Sequence, residues 1–376
     1  MIPYVFDIPT PYYAIDERLI IKNLEILRSV KEQSGCKILL AQKAFSTFRF
    51  YPLIGKFLDG TAASGLFEAR LGKEKMGKES HVFSPAYKQD EIDALNDYAD
   101  TVVLNSFRQV ESYARLLRSR GKRVGLRINP EVSTQDKPIY DPCAPFSRMG
   151  VRAPECAKNQ ALLHLVDGFH FHTLCEQNAD ALAATLKGVE EKFSRYFNGI
   201  QWINFGGGHH ITREDYDVSR LVSLITEFKK KYNLEVYLEP GEAVVLNAGF
   251  LVVTVLDIVD NGKKIAVLDA SAACHMPDVL EVPYTPRVSN ADENGVHEYR
   301  LAGNTCLAGD IIGDYRFKAP LNIGDKIVFE DMALYTMVKN NTFNGMNLPS
   351  IVAIDTYGKP QTIKTFHYKD FAERLG

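Results

Sequence analysis

The chain lacks the common marks of a secreted, membrane-spanning or nucleic-acid-binding protein. Its six cysteines, at positions 36, 143, 156, 175, 274 and 306, form no C-x-x-C pair and keep no regular spacing. That argues against a disulfide frame or a zinc site and for reduced thiols in the cytosol. No apolar run is long enough to span a bilayer. The opening residues Met1-Ile2-Pro3-Tyr4-Val5-Phe6-Asp7 have neither a basic start nor a long apolar core, so no signal peptide is read there. Basic clusters are missing too, and the net charge of −3 gives no footprint for nucleic acid. Internal repeats and low-complexity stretches are absent. What remains is a globular composition, 45% hydrophobic and 24% charged, in 376 residues. A chain of that size suits one large domain with a smaller one, and a cytoplasmic setting is expected.

From about residue 17 to 244, short apolar runs alternate with amphipathic helical stretches. The runs are Cys36–Ala41, Thr61–Ser64, His81–Ser84, Thr101–Asn105, Val124–Ile128, Gly168–His172, Trp202–Phe205 and Leu234–Leu238. Helical spacing lies between them, as in Leu221…Leu224-Ile225…Phe228. Eight strand–helix units close naturally into a (β/α)8 TIM-like barrel, with an open doubly wound sheet as the competing α/β architecture. After residue 245 the pattern changes. Phe250–Val259, Lys264–Asp269, His297–Leu301, Lys326–Phe329 and Ala333–Val338 read as strands between Gly, Asn and Pro turns. Residues 245–376, joined by a strand within 1–16, are expected to form a β-domain.

Unusual residues fall where the barrel strands end. Lys43 follows the first strand, placed where an amine sheds its proton more easily than in water, and is a candidate Schiff-base nucleophile. Ser64 and Glu68 follow the second strand, and Arg127 ends the fifth. His170 and His172 share a face at the end of the sixth; such a pair either binds metal or divides into one ring-stacking and one hydrogen-bonded histidine. No metal is expected, because no carboxylate-rich partners accompany them. Gly206, Gly207 and Gly208 end the seventh strand, where backbone N–H groups can meet a phosphate. Glu239 ends the eighth, either as a salt-bridge partner or as a carboxylate that keeps a heteroaromatic nitrogen protonated. An amine, a phosphate turn, a ring-stacking group and a carboxylate for a ring nitrogen together match pyridoxal 5′-phosphate.

These motifs, in this order, resemble the fold-type III pyridoxal-phosphate decarboxylases of ornithine, arginine and diaminopimelate. The resemblance runs through Ser64-Gly65-Leu66-Phe67-Glu68, Ser147-Arg148-Met149-Gly150-Val151, His172, Gly206–Gly208 and Glu239-Pro240-Gly241. It continues in Gly303-Asn304-Thr305-Cys306-Leu307-Ala308-Gly309-Asp310, Ala333-Leu334-Tyr335 and Thr342-Phe343-Asn344-Gly345. It implies a barrel of the alanine racemase type plus a C-terminal β-domain, and a homodimer with shared active sites. It also implies that Lys43 carries the cofactor and that His172, Gly206–Gly208, Glu239, Tyr335 and Arg127 bind it. Cys306 is then the catalytic thiol, delivered to the partner subunit. Two departures narrow the substrate. Diaminopimelate enzymes have arginine where Glu242 stands, and ornithine-type enzymes have an acidic residue where Leu307 stands. The resemblance is greatest to the branch acting on carboxylated polyamines, carboxynorspermidine and carboxyspermidine. Glu242, Asp278, Glu281, Asp310 and Asp314 are the candidates for reading the cationic tail. Against an alanine racemase stands Glu239, since those enzymes place arginine at the ring nitrogen. Against a non-catalytic carrier barrel stands the β-domain with Cys306.

Overall fold

The structure is a computed structural model that describes residues 3–135 and 137–376. The first two residues of the N-terminal segment lie outside the described residues. The chain divides into two compact units, Lys22–Val244 and Met1–Ile21 with Val245–Gly376. Strand β1 (Tyr12–Asp16) belongs to the second of these.

Lys22–Val244 holds a closed parallel barrel of β2 (Lys37–Ala41), β3 (Gly60–Ala63), β4 (Glu79–Phe83), β5 (Thr101–Leu104), β6 (Arg123–Arg127), β7 (Gly168–His170), β8 (Trp202–Asn204) and β9 (Glu235–Leu238). The ring closes where Lys37 and Ile38 pair with Tyr237 and Leu238. The open-sheet alternative is thereby excluded. Each barrel strand lies within about two residues of a run legible in the sequence. The reason is that both faces of a barrel strand are buried, so its apolar run is continuous and bounded.

Helices cover the outside. In Phe107–Ser119 the buried residues Phe107, Val110, Ala114 and Leu117 recur at helical spacing. Ser106 caps its N-terminus, accepting from Gln109 N–H. Inside the barrel, Leu39, Val103, Trp202 and Tyr237 form one packed layer. Trp202 fits because glycines face it. A Cβ on Gly168 would stand 2.1 Å from its indole, and one on Gly125 2.7 Å away. Gly168→Ala is expected to destabilise the protein by about 1–3 kcal/mol through overpacking, read as a lower urea midpoint with unchanged slope. An unchanged midpoint would show that the indole has room to shift.

The other unit is an eight-stranded sheet in the order β13 (Ile311–Phe317), β12 (His297–Ala302), β11 (Lys264–Leu268), β10 (Gly249–Asp260), β1, β15 (Ser350–Ile354), β16 (Pro360–Lys364); β14 (Lys326–Glu330) also pairs with β10. Strand β1 runs antiparallel to β10 and parallel to β15. Tyr12, Ala14, Phe250, Val252, Val328, Val352 and Ile354 make its core. The expected strand Ala333–Val338 is absent. The backbone turns left-handed at Asp331 and Tyr335 (φ 59° and 35°), so these residues cannot extend along a neighbour; Ala333, Thr336 and Met337 are buried by packing instead, while Val338 is exposed. Three strands escaped the sequence reading, β13, β15 and β16. Gly313 and Asp314 break the apolar pattern of β13, and β16 is largely exposed.

Candidate active site

The barrel site is built from the loop-side ends of its strands, which is why residues far apart in sequence converge there. A pocket among them is lined by Ala41, Lys43, Ser64, Phe83, Arg127, His170, His172 and Glu239, with further residues of the strand ends.

Lys43 lies two residues past β2, in a turn whose backbone is pinned on both sides. Buried Gln42 donates its amide to Glu68 O (2.9 Å) and accepts from Tyr51 Oη (3.0 Å). Glu68 in turn accepts from Ser64 N–H at 2.6 Å. The lysine is an exposed residue of the pocket. Desolvation of its amine by the surrounding protein, then the Arg127 cation, lowers its pKa from the usual lysine value. Its Nζ stands 3.5 Å from His172 Nε2.

The two histidines part ways. His172 accepts from Gly207 N–H at Nδ1 (2.9 Å), and burial followed by the Lys43 and Arg127 cations holds its pKa well below the ordinary value. His170, 2% exposed, stacks on Phe83 and points Nε2 at Glu239 Oε2, 3.3 Å away. Asn204 donates to the other Glu239 oxygen at 2.7 Å. Burial alone would raise the Glu239 pKa, but His170, together with Asn204, outweighs it and holds the carboxyl down at about 2. Burial lowers His170, so the pair is a neutral imidazole donating to a carboxylate. Glu239 is therefore paired with His170 and Asn204. Arg127, 4% exposed, donates to His172 O (3.2 Å) and lies over the Phe83 ring at 4.5 Å.

The glycine turn differs from a plain phosphate cradle. Gly206 N–H donates to Asn204 Oδ1 (2.8 Å) and Gly207 N–H to His172, so two of its donors serve the site's own side chains. A Cβ at Gly206, Gly207 or Gly208 would meet Phe171 O, Glu239 O or Leu174 O at 2.4, 2.4 or 1.9 Å. The turn is glycine because neighbouring strand ends press against it. Asn204 was missed by the sequence reading; its signal was an amide closing the apolar run Trp202-Ile203-Asn204. Glu242, 9% exposed, follows the Glu-Pro-Gly turn and acts electrostatically on Lys43 and Cys175.

The β-domain carries the remaining candidates. Cys306 is exposed in its loop, and its N–H donates to Asn344 Oδ1 at 2.6 Å. Asp310, one of the expected tail readers, is placed by the structure as a brace. It is 2% exposed and accepts from Thr305 Oγ1 (2.6 Å), Thr305 N–H and Ala273 N–H, inside the loop that displays Cys306. Asp314, another expected tail reader, is tied on an exposed strand to Arg300 and Lys263 (2.8 and 2.9 Å). Asp278 and Glu281 both pair with Lys339. Tyr335 is half-buried in its left-handed turn. Among the described residues no group of three or more His, Cys, Asp or Glu could hold a metal ion.

Barrel, sheet domain, pocket lysine and paired carboxylate define a class, and comparison places the chain in it. Residues 4–333 match the family model described as pyridoxal-dependent decarboxylase, C-terminal sheet domain, and the chain belongs to that family. It is 45% identical to the carboxynorspermidine/carboxyspermidine decarboxylase of Campylobacter jejuni over 98% of each chain. It is 40% identical to the carboxyaminopropylagmatine decarboxylase of Synechocystis sp., over 100% of this chain and 97% of that one. The crystal structure of carboxynorspermidine decarboxylase complexed with norspermidine from Campylobacter jejuni superposes with a TM-score of 0.91 at 44% identity, covering 98% of this chain and 100% of that one. The diaminopimelate decarboxylase of Deinococcus radiodurans is a distant relative, 23% identical over 81% of this chain and 79% of that one.

The site suits pyridoxal 5′-phosphate. It offers one amine of lowered pKa, one carboxylate held anionic by two donors, and one imidazole beside the amine, all on the same pocket.

Proposed function

We propose that this decarboxylase converts carboxynorspermidine and/or carboxyspermidine to norspermidine and spermidine, with release of CO2. The observation that carries the reading is the close match, over nearly the whole of both chains, to an enzyme solved with norspermidine. The departures at Glu242 and Leu307 support it, because they remove the substrate contacts of the diaminopimelate and ornithine enzymes.

The chemistry supplied by bound cofactor is an electron sink for the pair left at the substrate Cα when CO2 departs. Lys43 Nζ would hold the cofactor's aldehyde carbon. Glu239, kept ionised by Asn204 and His170, would hold a proton on the ring nitrogen. His172 would cover one ring face, and Arg127, Gly208 and Tyr335 would bind the rest of the cofactor. The cationic tail would fall to Glu242, Asp278 and Glu281; the last two already share a primary ammonium, that of Lys339. Cys306 Sγ would return a proton to Cα as general acid, from the other subunit of a homodimer.

Three measurements test this. With carboxynorspermidine, carboxyspermidine, diaminopimelate, ornithine, lysine and arginine offered separately, released CO2 should be greatest for the first two. Equal turnover of diaminopimelate would sink the assignment. The Synechocystis relative favours a second reading, and carboxyaminopropylagmatine belongs in the panel for that reason. Cys306→Ala should lower kcat by roughly 10²-fold, and an unchanged rate removes the thiol from the reaction. Mixing and re-equilibrating Lys43→Ala with Cys306→Ala should restore about one quarter of the activity, since about half the dimers are mixed and each has one intact site. No recovery would place both residues in one subunit's site.

A further inference from the structure

One bond in the barrel mouth fixes the position of a proton. His172 Nδ1 accepts from Gly207 N–H at 2.9 Å. A backbone N–H can only donate, so Nδ1 must carry a lone pair, and the neutral ring carries its proton on Nε2. Nε2 is the atom facing Lys43 Nζ, at 3.5 Å. An N–H aimed at an ammonium repels it, whereas an N–H aimed at a free amine meets a lone pair. Glu239 O closes off the space beside Gly207, where a Cβ would stand 2.4 Å from it.

We propose that Gly207 locks His172 in the Nε2–H tautomer, and that this proton, directed at Nζ, keeps Lys43 as the free amine that captures the cofactor. This rests on the reading of Lys43 as the cofactor anchor. His172 thereby positions the lysine's protonation state in the cofactor-free chain, in addition to covering the cofactor ring. The glycine turn acquires a use besides phosphate binding, since its middle N–H orients an imidazole.

The other groups acting on Lys43 are Arg127, His170, Glu68, Glu239, Glu242 and Cys175. Arg127 works in the same direction as the Nε2 proton, and the three carboxylates work against it. Both sets stay in place in a variant at position 172, so a change there isolates the histidine's part.

The test uses the full-length cofactor-free protein and reads Lys43 by its rate of acetylation with acetic anhydride against pH, followed by mass spectrometry. His172→Phe keeps a flat ring but removes the donor; His172→Gln keeps an N–H near the Nε2 position. The Phe variant should move the labelling midpoint of Lys43 up by about one pH unit, a roughly tenfold loss of labelling at neutral pH. The Gln variant should stay within about threefold of the parent. An unmoved midpoint in the Phe variant overturns the proposal. So does a 15N spectrum of labelled histidine in which Nδ1 of His172, identified by its loss in the variants, bears the proton. Neither readout needs cofactor. Failure of the anchor reading is seen separately, as absence of a borohydride-trapped pyridoxal adduct on Lys43 of the parent protein.

Discussion

Lys43→Ala yields a protein with no borohydride-reducible cofactor and without the visible absorbance of the linked form, and its decarboxylase activity falls by roughly 10³-fold or more. The size follows from the lysine's two duties. It is the one amine lining the barrel pocket among the described residues, and its lowered pKa leaves it unprotonated more often than an ordinary lysine at the same pH. The turn that presents it is held by Gln42, Tyr51 and Glu68, none of which the substitution disturbs, so the variant should fold. Circular dichroism and thermal unfolding like those of the parent, with activity lost, is the expected combination. Retained activity would take Lys43 out of the reaction.

Glu239→Gln is expected to lower kcat by about 10²–10³-fold, the usual cost of losing one buried electrostatic partner. A carboxylate can hold a proton on a ring nitrogen; an amide cannot. The same substitution carries a pH signature in stability. The Glu239 pKa lies at about 2 in the folded protein, against an ordinary value of 4.5. A depressed carboxyl pKa contributes stability that is complete above the unfolded value and lost as pH falls through the folded one. The carboxyl's own share of the stability gap between parent and Glu239→Gln should therefore be level above about pH 4.5 and be lost as pH falls toward 2. His170 shifts as well, because burial holds its pKa down and Glu239 holds it up, so the variant lets it fall further. The carboxyl is therefore read directly, by its side-chain 13C shift in the folded parent against pH. A midpoint at or above 4.5 would mean that the pairing does not hold the carboxyl ionised.

Much of this molecule is legible in its residues because the barrel strands are buried on both faces. Continuous runs such as Leu39-Leu40-Ala41 and Val102-Val103-Leu104 then announce themselves, and the chemistry-bearing residues stand just beyond them. The β-domain was less legible. Ala333–Val338 has the composition of a strand, yet two left-handed residues prevent it from pairing, and backbone angles of that kind leave no trace in composition. Carboxylates were the least legible of all. Asp310, Asp314, Asp278 and Glu281 look alike as letters, and only their neighbours separate the loop brace, the surface ion pair and the two that share Lys339.

By itself the sequence determined the two-part organisation of strands, the lysine and carboxylate at opposite ends of the barrel run, and the cofactor they imply, because burial periodicity and residue chemistry are local properties. The tertiary structure decided which partner each group has: Asn204 and His170 on Glu239, Gly207 on His172, Asp310 inside its own loop. Hydrogen bonds act over about 3 Å between residues remote in the chain, so they exist only once closing the barrel and folding the sheet have brought those residues together.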